Sequence, residues 1–303
     1  MKILVTGGAG FIASHIVDGY IKGGHSVSVI DNLSTGKKEN LNPKAKFYKI
    51  DIVNFSSLEK VLAKERPDII NHHAAVAEVV KSLINPLPTL EVNIAGTLNL
   101  LRLFQKYPIK KFIFASTGGA IYGDAPKLPA DENALEKPLS PYGVSKLLGE
   151  KLIQAYAGAK KFSYLIFRYP NVYGPRQNPN GEAGVIAIFS QLIKNKKSPT
   201  IFGDGTKGRD YVYVSDIVQA NLLALTKGNN EVINLGSDRL TTDKEVFETI
   251  ATTLKSNIQC QYAPFRKGEV YRISLSKNKA KKVIEWSPKI NLINGIKMTL
   301  NYL

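Results

Sequence analysis

The chain has 303 residues, 44% of them hydrophobic and 22% charged, which is enough for two lobes around one cleft, and it has no apolar run near the roughly 20 residues that a membrane span needs. Its net charge of +16 comes from short lysine clusters scattered along the chain, so we expect a solvated basic surface rather than a nucleic-acid groove. The single cysteine, Cys260, excludes an intramolecular disulfide and favours a reducing compartment, so we expect a cytoplasmic protein.

Apolar, β-branched runs alternate with stretches of helical periodicity through the first half of the chain. The predicted strands are residues 3–5, 26–30, 46–50, 68–71, 111–115 and 163–167, and the predicted helices between them are 12–23, 56–65, 91–106 and 142–157. The pairs Ser56/Glu59 and Thr242/Glu245 have capping-box spacing, which predicts two further helix starts. After residue 169 prolines and glycines interrupt the pattern, and a helical run resumes at 185–193. The alternation is typical of a doubly wound parallel sheet.

The first predicted strand runs into a glycine-rich turn, Thr6-Gly7-Gly8-Ala9-Gly10-Phe11-Ile12-Ala13-Ser14. Glycines allow a tight turn and a close approach of the backbone to a pyrophosphate, whose charge meets the free N–H groups at the start of the next helix. Asp31 ends the second predicted strand, where a carboxylate accepts hydrogen bonds from both ribose hydroxyls of an adenosine and repels a 2′-phosphate. The pattern predicts a dinucleotide site that prefers NAD to NADP; the alternative is a tight turn and an ordinary strand-end aspartate.

Tyr142 and Lys146 have the i, i+4 spacing that places two side chains on one face of a helix. A tyrosine with its ordinary pKa is ionised in only about one molecule in a thousand at pH 7, so its use as a base requires about 4 kcal/mol of stabilisation of the phenolate. A neighbouring ammonium group and a positively charged nicotinamide ring supply such stabilisation. The same spacing also fits a plain surface pair on a helix.

Together with the hydroxyl-bearing segment Ala115-Ser116-Thr117, these features resemble the extended short-chain dehydrogenase/reductase family, and the resemblance covers nearly the whole chain. Within that family the chain is most similar to the UDP-glucose (UDP-galactose) 4-epimerases. Further motifs that carry the resemblance are Asp31-Asn32-Leu33-Ser34-Thr35-Gly36, Asp51-Ile52, His73-Ala74-Ala75, Asn93 with Gly96-Thr97, Tyr122-Gly123, Arg168-Tyr169-Pro170-Asn171-Val172-Tyr173-Gly174-Pro175, Gly203-Asp204-Gly205 with Arg209-Asp210-Tyr211, and Arg266-Lys267-Gly268-Glu269.

The resemblance implies an isomerase that uses NAD to epimerise a UDP-hexose at C4 through a transient 4-keto sugar, without net redox change. It implies Tyr142 as the acid and base at the sugar 4-hydroxyl, and Lys146 as the residue that binds the nicotinamide ribose and depresses the tyrosine pKa. The residues implied for NAD are Gly7, Gly10, Phe11, Ile12, Asp31, Asn32, Ser34, Gly36, Asp51, Ile52, Ala74, Ala75, Asn93, Tyr142, Lys146 and Tyr169. Those implied for the UDP-sugar are Thr117, Tyr142, Asn171, Phe202, Arg209, Arg266 and Glu269, with the two arginines at the diphosphate.

The sequence departs from this subgroup at the catalytic hydroxyl. In many of these epimerases a serine lies four residues before the tyrosine of a tyrosine–glycine pair, and counting back from Tyr122 leads to Gly118. A loop longer by one residue brings Thr117 to that place, so we assign the role to Thr117 and keep Ser116 as the alternative. The segment also lacks the acidic pair expected of the related sugar 4,6-dehydratases.

The resemblance therefore predicts an α/β fold with a Rossmann-type doubly wound parallel sheet, in which residues 1–170 and 211–236 bind NAD. A smaller C-terminal substrate-binding lobe, formed by 171–210 and 237–303, takes the nucleotide sugar. The resemblance also implies a homodimer joined through helices near 91–106 and 142–157. His72 and His73 lack a surrounding cysteine or acidic ligand pattern, so we predict no metal site.

Other functions remain open at this point. A dehydratase, decarboxylase or reductase acting on a nucleotide sugar is the enzymatic alternative, and a non-catalytic NAD-sensing or nucleic-acid-binding protein of the same fold is the alternative from another class.

Counting seven positions beyond Arg266 leads to Ile273, which the resemblance places beside the 2-substituent of the sugar. The competing interpretation of Ile273 is a strand residue packed in the second lobe.

Overall fold

The computed structural model describes residues 1–104, 106–160, 162–181, 184–266 and 268–302. Its main feature is a seven-stranded sheet with the strand order β11-β6-β5-β4-β1-β2-β3, in which all neighbouring strands are parallel. These strands are β1 (Lys2–Thr6), β2 (Ser26–Ile30), β3 (Lys46–Tyr48), β4 (Ile69–His72), β5 (Lys111–Thr117), β6 (Ser163–Tyr169) and β11 (Glu231–Asn234). The predicted doubly wound parallel sheet is therefore confirmed.

Helices cover both faces of the sheet and continue into the second half of the chain. They are α1 (Phe11–Lys22), α2 (Phe55–Glu65), α3 (Val79–Ile84), α4 (Leu87–Leu90), α5 (Thr97–Leu103), α6 (Gly118–Ile121), α7 (Pro141–Lys160), α8 (Val185–Lys194), α9 (Val214–Leu223), α10 (Asp243–Thr253), α11 (Asn278–Ile284) and α12 (Leu292–Leu300), with a 3₁₀ turn at Lys38–Asn40. No helix among these described residues is long and apolar enough to cross a membrane.

Alternating side chains of the central strands build two cores, one on each face of the sheet. Ile3 and Val5 of β1 pack with α1 and α9 residues, whereas Leu4 between them packs with α2, α5 and α7 residues. Each central strand is buried on both faces, which explains why it reads as a continuous apolar run rather than an alternating one.

The remaining strands form three two-stranded sheets in the second half of the chain. They are β7 (Asn171–Tyr173) with β10 (Tyr211–Tyr213), β8 (Thr200–Phe202) with β13 (Gln261–Ala263), and β9 (Gly208–Arg209) with β12 (Thr241–Thr242). Because β11 returns to the main sheet beside β6, the chain crosses between the two halves more than once. The division into two lobes at the stated boundaries stays a prediction.

One of the two helix starts predicted from capping-box spacing is confirmed, whereas the other start and one predicted helix differ from expectation. Helix α10 begins with the predicted capping box between Thr242 and Glu245. Helix α2, however, is capped by Asn54, whose Oδ1 accepts from the backbone N–H of Ser57, and not by Ser56. The predicted helix at 91–106 begins earlier, at α4, and passes through a π-helical segment at Glu91–Gly96 before α5. Such segments insert an extra residue per turn and often lie next to functional sites.

Candidate active site

The glycine turn between β1 and α1 lies directly against the end of β4. Gly7 has a φ of +70°, and a Cβ built on it would lie 2.7 Å from the backbone nitrogen of Ala74. Only glycine fits both the left-handed conformation and this close approach. Gly10 is the N-cap of α1 and provides no side-chain cap for the first N–H groups of the helix, and the first turn holds no acidic residue. The start of α1 therefore offers free N–H groups to an anion.

Asp31 ties the loop after β2 to this glycine turn. Its buried carboxylate accepts hydrogen bonds from the backbone N–H of Ala9 at 3.0 Å and of Leu33 at 2.8 Å. The Nδ2 of the neighbouring Asn32 donates to the carboxylate of Asp51, in the loop after β3, at 2.7 Å. These bonds join the loops that follow β1, β2 and β3, whose carboxyl ends lie at one edge of the sheet because the strands are parallel. A doubly wound fold binds ligands at this edge.

A cavity at this edge contains most of the residues predicted for the cofactor. The predicted residues that line it are Gly7, Gly10, Asp31, Asn32, Ser34, Asp51, Ile52, Ala74 and Ala75. Thr35 and His73, which belong to motifs that carry the resemblance, also line the cavity, and four apolar residues that were not predicted for the site complete it: Ile30, Ile50, Val76 and Val92. Sequence patterns identify the polar and glycine positions of such a cavity more readily than its apolar walls, since apolar residues at strand ends resemble the rest of the core.

Asn93, which was also predicted for the cofactor, connects two parts of the protein at the rim of this cavity. Its Oδ1 accepts from the N–H of Val76 at 2.8 Å, and its Nδ2 donates to the carbonyl of Val76 and to the Oγ of Ser145. Ser145 lies between Tyr142 and Lys146 in α7. The described contacts of Asn93 thus fix the loop after β4 against α7.

Tyr169 and the two histidines form a second connection between β4 and β6. The Nε2 of His73 lies 3.0 Å from the hydroxyl of Tyr169, which also accepts from the Nδ2 of Asn221 at 2.9 Å. The ring of His72 lies between the hydroxyls of Thr6 and Thr97, at 2.7 and 2.9 Å. Burial lowers the pKa of His73 to about 3 and that of His72 well below its ordinary value, so both rings are neutral.

Tyr142 and Lys146 lie in the first two turns of α7, as their spacing predicts. Burial raises the pKa of Tyr142 to about 12, while a hydrogen bond with Thr117 lowers it. Lys146 is buried, donates from Nζ to the carbonyl of Ala115 at 2.8 Å and lies 4.9 Å from the centre of the Phe114 ring. Burial lowers the pKa of Lys146 to about 8, and the carboxylate of Glu150 opposes that shift. The plain surface pair is excluded for Lys146, because an exposed lysine would not be enclosed in this way.

The structure separates the two candidate hydroxyls at the end of β5. Ser116 is 4% exposed and donates to the carboxylate of Glu150, whereas Thr117 meets the phenol of Tyr142. Neighbouring strand residues point to opposite faces of a sheet, so one backbone cannot present both hydroxyls to the same ligand. A Cβ on Gly119 would lie 3.7 Å from the Oγ1 of Thr117 and 3.4 Å from the Oδ1 of Asn171, so both side chains lie close to Gly119.

The other residues predicted for the UDP-sugar lie in the second half of the chain. The guanidinium of Arg266 stacks over Phe202, with its Cζ 3.6 Å from the ring centre, and approaches Glu269 at 3.5 Å. Lys207, which the sequence analysis did not single out, binds Glu269 at 2.9 Å. Lys267, the remaining cation of the predicted motif, lies outside the described residues.

Arg209 is held by backbone groups of the same region. Its guanidinium donates to the carbonyls of Gly208, Val270 and Tyr271, so it is not paired with the neighbouring Asp210. The carboxylate of Asp210 is instead buried and accepts from Ser237 and from the N–H of Leu275. The surface ion pair that the two adjacent residues suggest is therefore absent from the described contacts.

Ile273 belongs to a small packed apolar cluster. Its side chain is 2% exposed and packs with Tyr122, Val270 and Leu275. This packing favours the interpretation of Ile273 as a core residue over that of a gate at the sugar.

Comparisons with known proteins agree with this geometry. Residues 3–236 match the model of the NAD dependent epimerase/dehydratase family. A UDP-glucose 4-epimerase of Mycolicibacterium smegmatis is 36% identical over 308 residues, covering 100% of this chain and 98% of that protein. The crystal structure of UDP-glucose 4-epimerase with UDP-glucose from Thermotoga maritima has a TM-score of 0.98 and 46% identity, covering 100% of this chain and 98% of that one. A Thermus thermophilus UDP-glucose 4-epimerase in complex with NAD has a TM-score of 0.96 and 39% identity, with the same coverage.

Proposed function

Because the chain belongs to the NAD dependent epimerase/dehydratase family, we propose that it is an isomerase that interconverts UDP-glucose and UDP-galactose by epimerisation at C4. The observation that carries this proposal is the group formed by Thr117, Tyr142 and Lys146 at the same sheet edge as the glycine turn. That arrangement offers an acid–base side chain, a cation and a hydroxyl beside a dinucleotide cavity.

The residues of the first cavity fit NAD. The bare start of α1 and the close approach at Gly7 suit a pyrophosphate, and the carboxylate of Asp31 suits a ribose with two free hydroxyls. Asn32, Ser34 and Asp51 extend this polar rim. When bound, NAD accepts a hydride from C4 of the sugar and returns it.

Tyr142 supplies the proton transfer. Its phenol is the group that removes the proton of the sugar 4-hydroxyl and donates it back to the 4-keto oxygen. Since burial raises the pKa of this phenol to about 12, the phenolate forms only with help from positive charge and hydrogen bonding. Lys146 provides the charge, and the Thr117 hydroxyl provides a hydrogen bond to the reacting oxygens.

The second half of the chain holds the nucleotide. Phe202 with the stacked Arg266 forms a flat surface, and Glu269 lies next to it as a hydrogen-bond acceptor. Arg209 and Arg266 are the cations proposed for the diphosphate, because guanidinium groups bind phosphate oxygens in a bidentate manner. Asn171 lies close to Gly119, as Thr117 does, which supports a place for Asn171 at the sugar end of the substrate.

The segment after Thr117 favours epimerisation over dehydration. Elimination of the sugar 6-hydroxyl as water requires an acid, but positions 118 and 119 are glycines. A Cβ on Gly118 would lie 2.3 Å from the Cδ1 of Leu275, so this position has no room for an acidic side chain.

The test is to incubate the NAD-loaded protein with UDP-galactose and to identify the sugar product. We expect UDP-glucose, without a stoichiometric amount of NADH. A keto or deoxy sugar as the main product would instead identify a dehydratase, decarboxylase or reductase. Tyr142→Phe is the control: it should lose several orders of magnitude in turnover and still bind UDP, since the diphosphate contacts remain.

A homodimer is part of the proposal, and exposed apolar residues on α3, α4 and α7 support it. Ile84 is 80% exposed, Leu87 71%, Val144 46% and Leu148 40%, and they lie on elements that pack against one another. A large apolar patch on a surface marks an interaction site. Light scattering on the protein and on Leu148→Glu would measure the oligomeric state.

The cytoplasmic location, which rests on the single cysteine, also stays a proposal.

A further inference from the structure

A buried network of charged and polar side chains lies behind Thr117 and Tyr142. At its centre, the carboxylate of Glu150 accepts from the hydroxyl of Ser116 and from Arg168, whose Nε and Nη2 approach it at 3.0 and 2.6 Å. Glu150 is 0% exposed, Arg168 2% and Ser116 4%. Charged groups are rarely buried to this extent unless they are paired, and this pair is joined by two guanidinium nitrogens.

The network extends from Arg168 to the other elements around it. Its Nη1 donates to the hydroxyl of Tyr122 at 2.8 Å, and its Nη2 also binds the carboxylate of Glu136, which is paired on its outer side with Lys151. The carboxylate of Glu150 and the hydroxyl of Tyr122 hold the pKa of Arg168 above its ordinary value in spite of burial, so Arg168 remains a cation. The network thus contains a permanent cation, Arg168, paired with Glu150.

The position of Glu150 relates this network to the catalytic residues. Glu150 lies in α7 one helical turn beyond Lys146 and two turns beyond Tyr142, and Ser116 directly precedes Thr117. Ser116 and Arg168 are register partners in neighbouring strands. One carboxylate therefore connects the helix of the acid–base pair with the strand end that carries the hydroxyl.

The charges that face Lys146 give Glu150 a second role. His72 and His73 approach Lys146 from the end of β4, and both are neutral, while Tyr142 and Glu150 lie on its own helix. The carboxylate of Glu150 raises the pKa of Lys146 against the effect of burial. The positive charge of Lys146 near neutral pH thus depends in part on Glu150.

We propose that Glu150 is a positioning residue for the reaction: through its bonds to Ser116 and Arg168 it holds the end of β5, which carries Thr117, against helix α7, which carries Tyr142. The proposal rests on the epimerase activity proposed above. Glu150 itself touches neither sugar nor cofactor, so its removal acts on turnover and on the pH profile, not on the binding of UDP.

The experiment compares the kinetics of NAD-loaded wild type with those of Glu150→Gln, Glu150→Asp, Ser116→Ala and Glu136→Gln. Glu150→Gln keeps the shape and removes the charge. Glu136→Gln is the matched control, because it removes a carboxylate from the same arginine, and Glu136 bonds neither Ser116 nor Lys146 among the described contacts. For each variant, bound NAD and the melting temperature report folding, and kcat and KM for UDP-galactose are measured across pH.

For Glu150→Gln we expect kcat to fall by about tenfold or more while KM changes by less than about threefold. The alkaline limb of its kcat profile should move to lower pH by roughly half a unit or more, because Lys146 loses its proton earlier. Glu150→Asp keeps the carboxylate, so the alkaline limb of its kcat profile should lie at the same pH as in wild type. Ser116→Ala should lower kcat about threefold to tenfold and leave the pH of the alkaline limb unchanged. Glu136→Gln should change neither kcat nor the pH of that limb.

A folded, NAD-loaded Glu150→Gln enzyme with the wild-type kcat and limb would overturn the proposal. So would a lower melting temperature as its only change, which indicates a purely structural role. If Glu150→Gln does not fold, Ser116→Ala decides, since a wild-type kcat in that variant contradicts the connection to Thr117. Inactivity of the wild type itself would instead overturn the proposed function.

Discussion

Ser116 and Thr117 are adjacent at the end of β5, yet their hydroxyls have different partners: Ser116 donates to the buried Glu150, and Thr117 meets the phenol of Tyr142. The alternation of side chains along the strand produces this division. It leaves Thr117 as the hydroxyl that faces the proposed reaction and gives Ser116 a role behind it.

This division predicts the behaviour of Thr117 variants. Thr117→Val keeps the shape and removes the hydroxyl, so we expect kcat to fall by roughly tenfold to a thousandfold with little change in KM. Thr117→Ser retains the hydroxyl and should keep most of the activity. Steady-state kinetics with UDP-galactose measure both, and equal rates in wild type and Thr117→Val would show that this hydroxyl does not act on the sugar.

The lowered pKa of Lys146 predicts a loss of activity at alkaline pH. Lys146 has a pKa of about 8 in the folded protein, so its cation is largely present at pH 7 and disappears as the pH rises through that value. Since the phenolate of Tyr142 needs this charge, kcat should decline above about pH 8. The check is a kcat profile from pH 6 to 10 on protein shown to be folded throughout; a kcat that stays constant to pH 10 contradicts the role of Lys146.

Asp31 predicts a preference for NAD over NADP. Its carboxylate is already held by two backbone N–H groups, so it cannot turn away from a 2′-phosphate, and the repulsion weakens NADP binding. Lys37 and Lys38, in the loop that follows, reduce this effect without removing it. Calorimetry on protein freed of nucleotide measures both affinities, and equal values would refute the prediction.

The close approach at Gly7 predicts that Gly7→Ala impairs both folding and cofactor binding. An added Cβ would meet the backbone of Ala74 at 2.7 Å in a left-handed conformation, and backbone cannot move aside as a flexible side chain does. We expect a loss of stability of more than about 1 kcal/mol and a weaker affinity for NAD.

Gly158→Ala is the matched control for that substitution. Gly158 lies in α7, and a Cβ there would meet nothing within 4 Å. Because alanine favours a helix over glycine by roughly 0.5–1 kcal/mol, this variant should be as stable as wild type or more stable. Thermal unfolding of both variants, with and without NAD, makes the comparison; a Gly7→Ala protein as stable as Gly158→Ala would contradict the argument.

Local features of this protein were predictable from the sequence by itself. These features are the strands and helices around the sheet, the glycine turn, the strand that ends at Asp31, the placement of Tyr142 and Lys146 in one helix, and the capping box at Thr242. Each of them depends on residues a few positions apart. Helix and strand periodicity, and the requirement of a tight turn for glycine, act over such short distances.

The tertiary structure decided the features that depend on residues far apart in the chain. Ser116, Glu150 and Arg168 come from different elements, so no local pattern shows that their side chains meet, and the same holds for Arg266 over Phe202 and for Lys207 at Glu269. The place of Ile273 at the sugar, which was obtained by counting along the chain, stays a prediction, and only the tertiary structure shows that this side chain packs with Tyr122 and Leu275. Tyr142 and Lys146 become buried only when the surrounding elements enclose them. Their pKa values shift for the same reason, because desolvation depends on everything that surrounds a side chain.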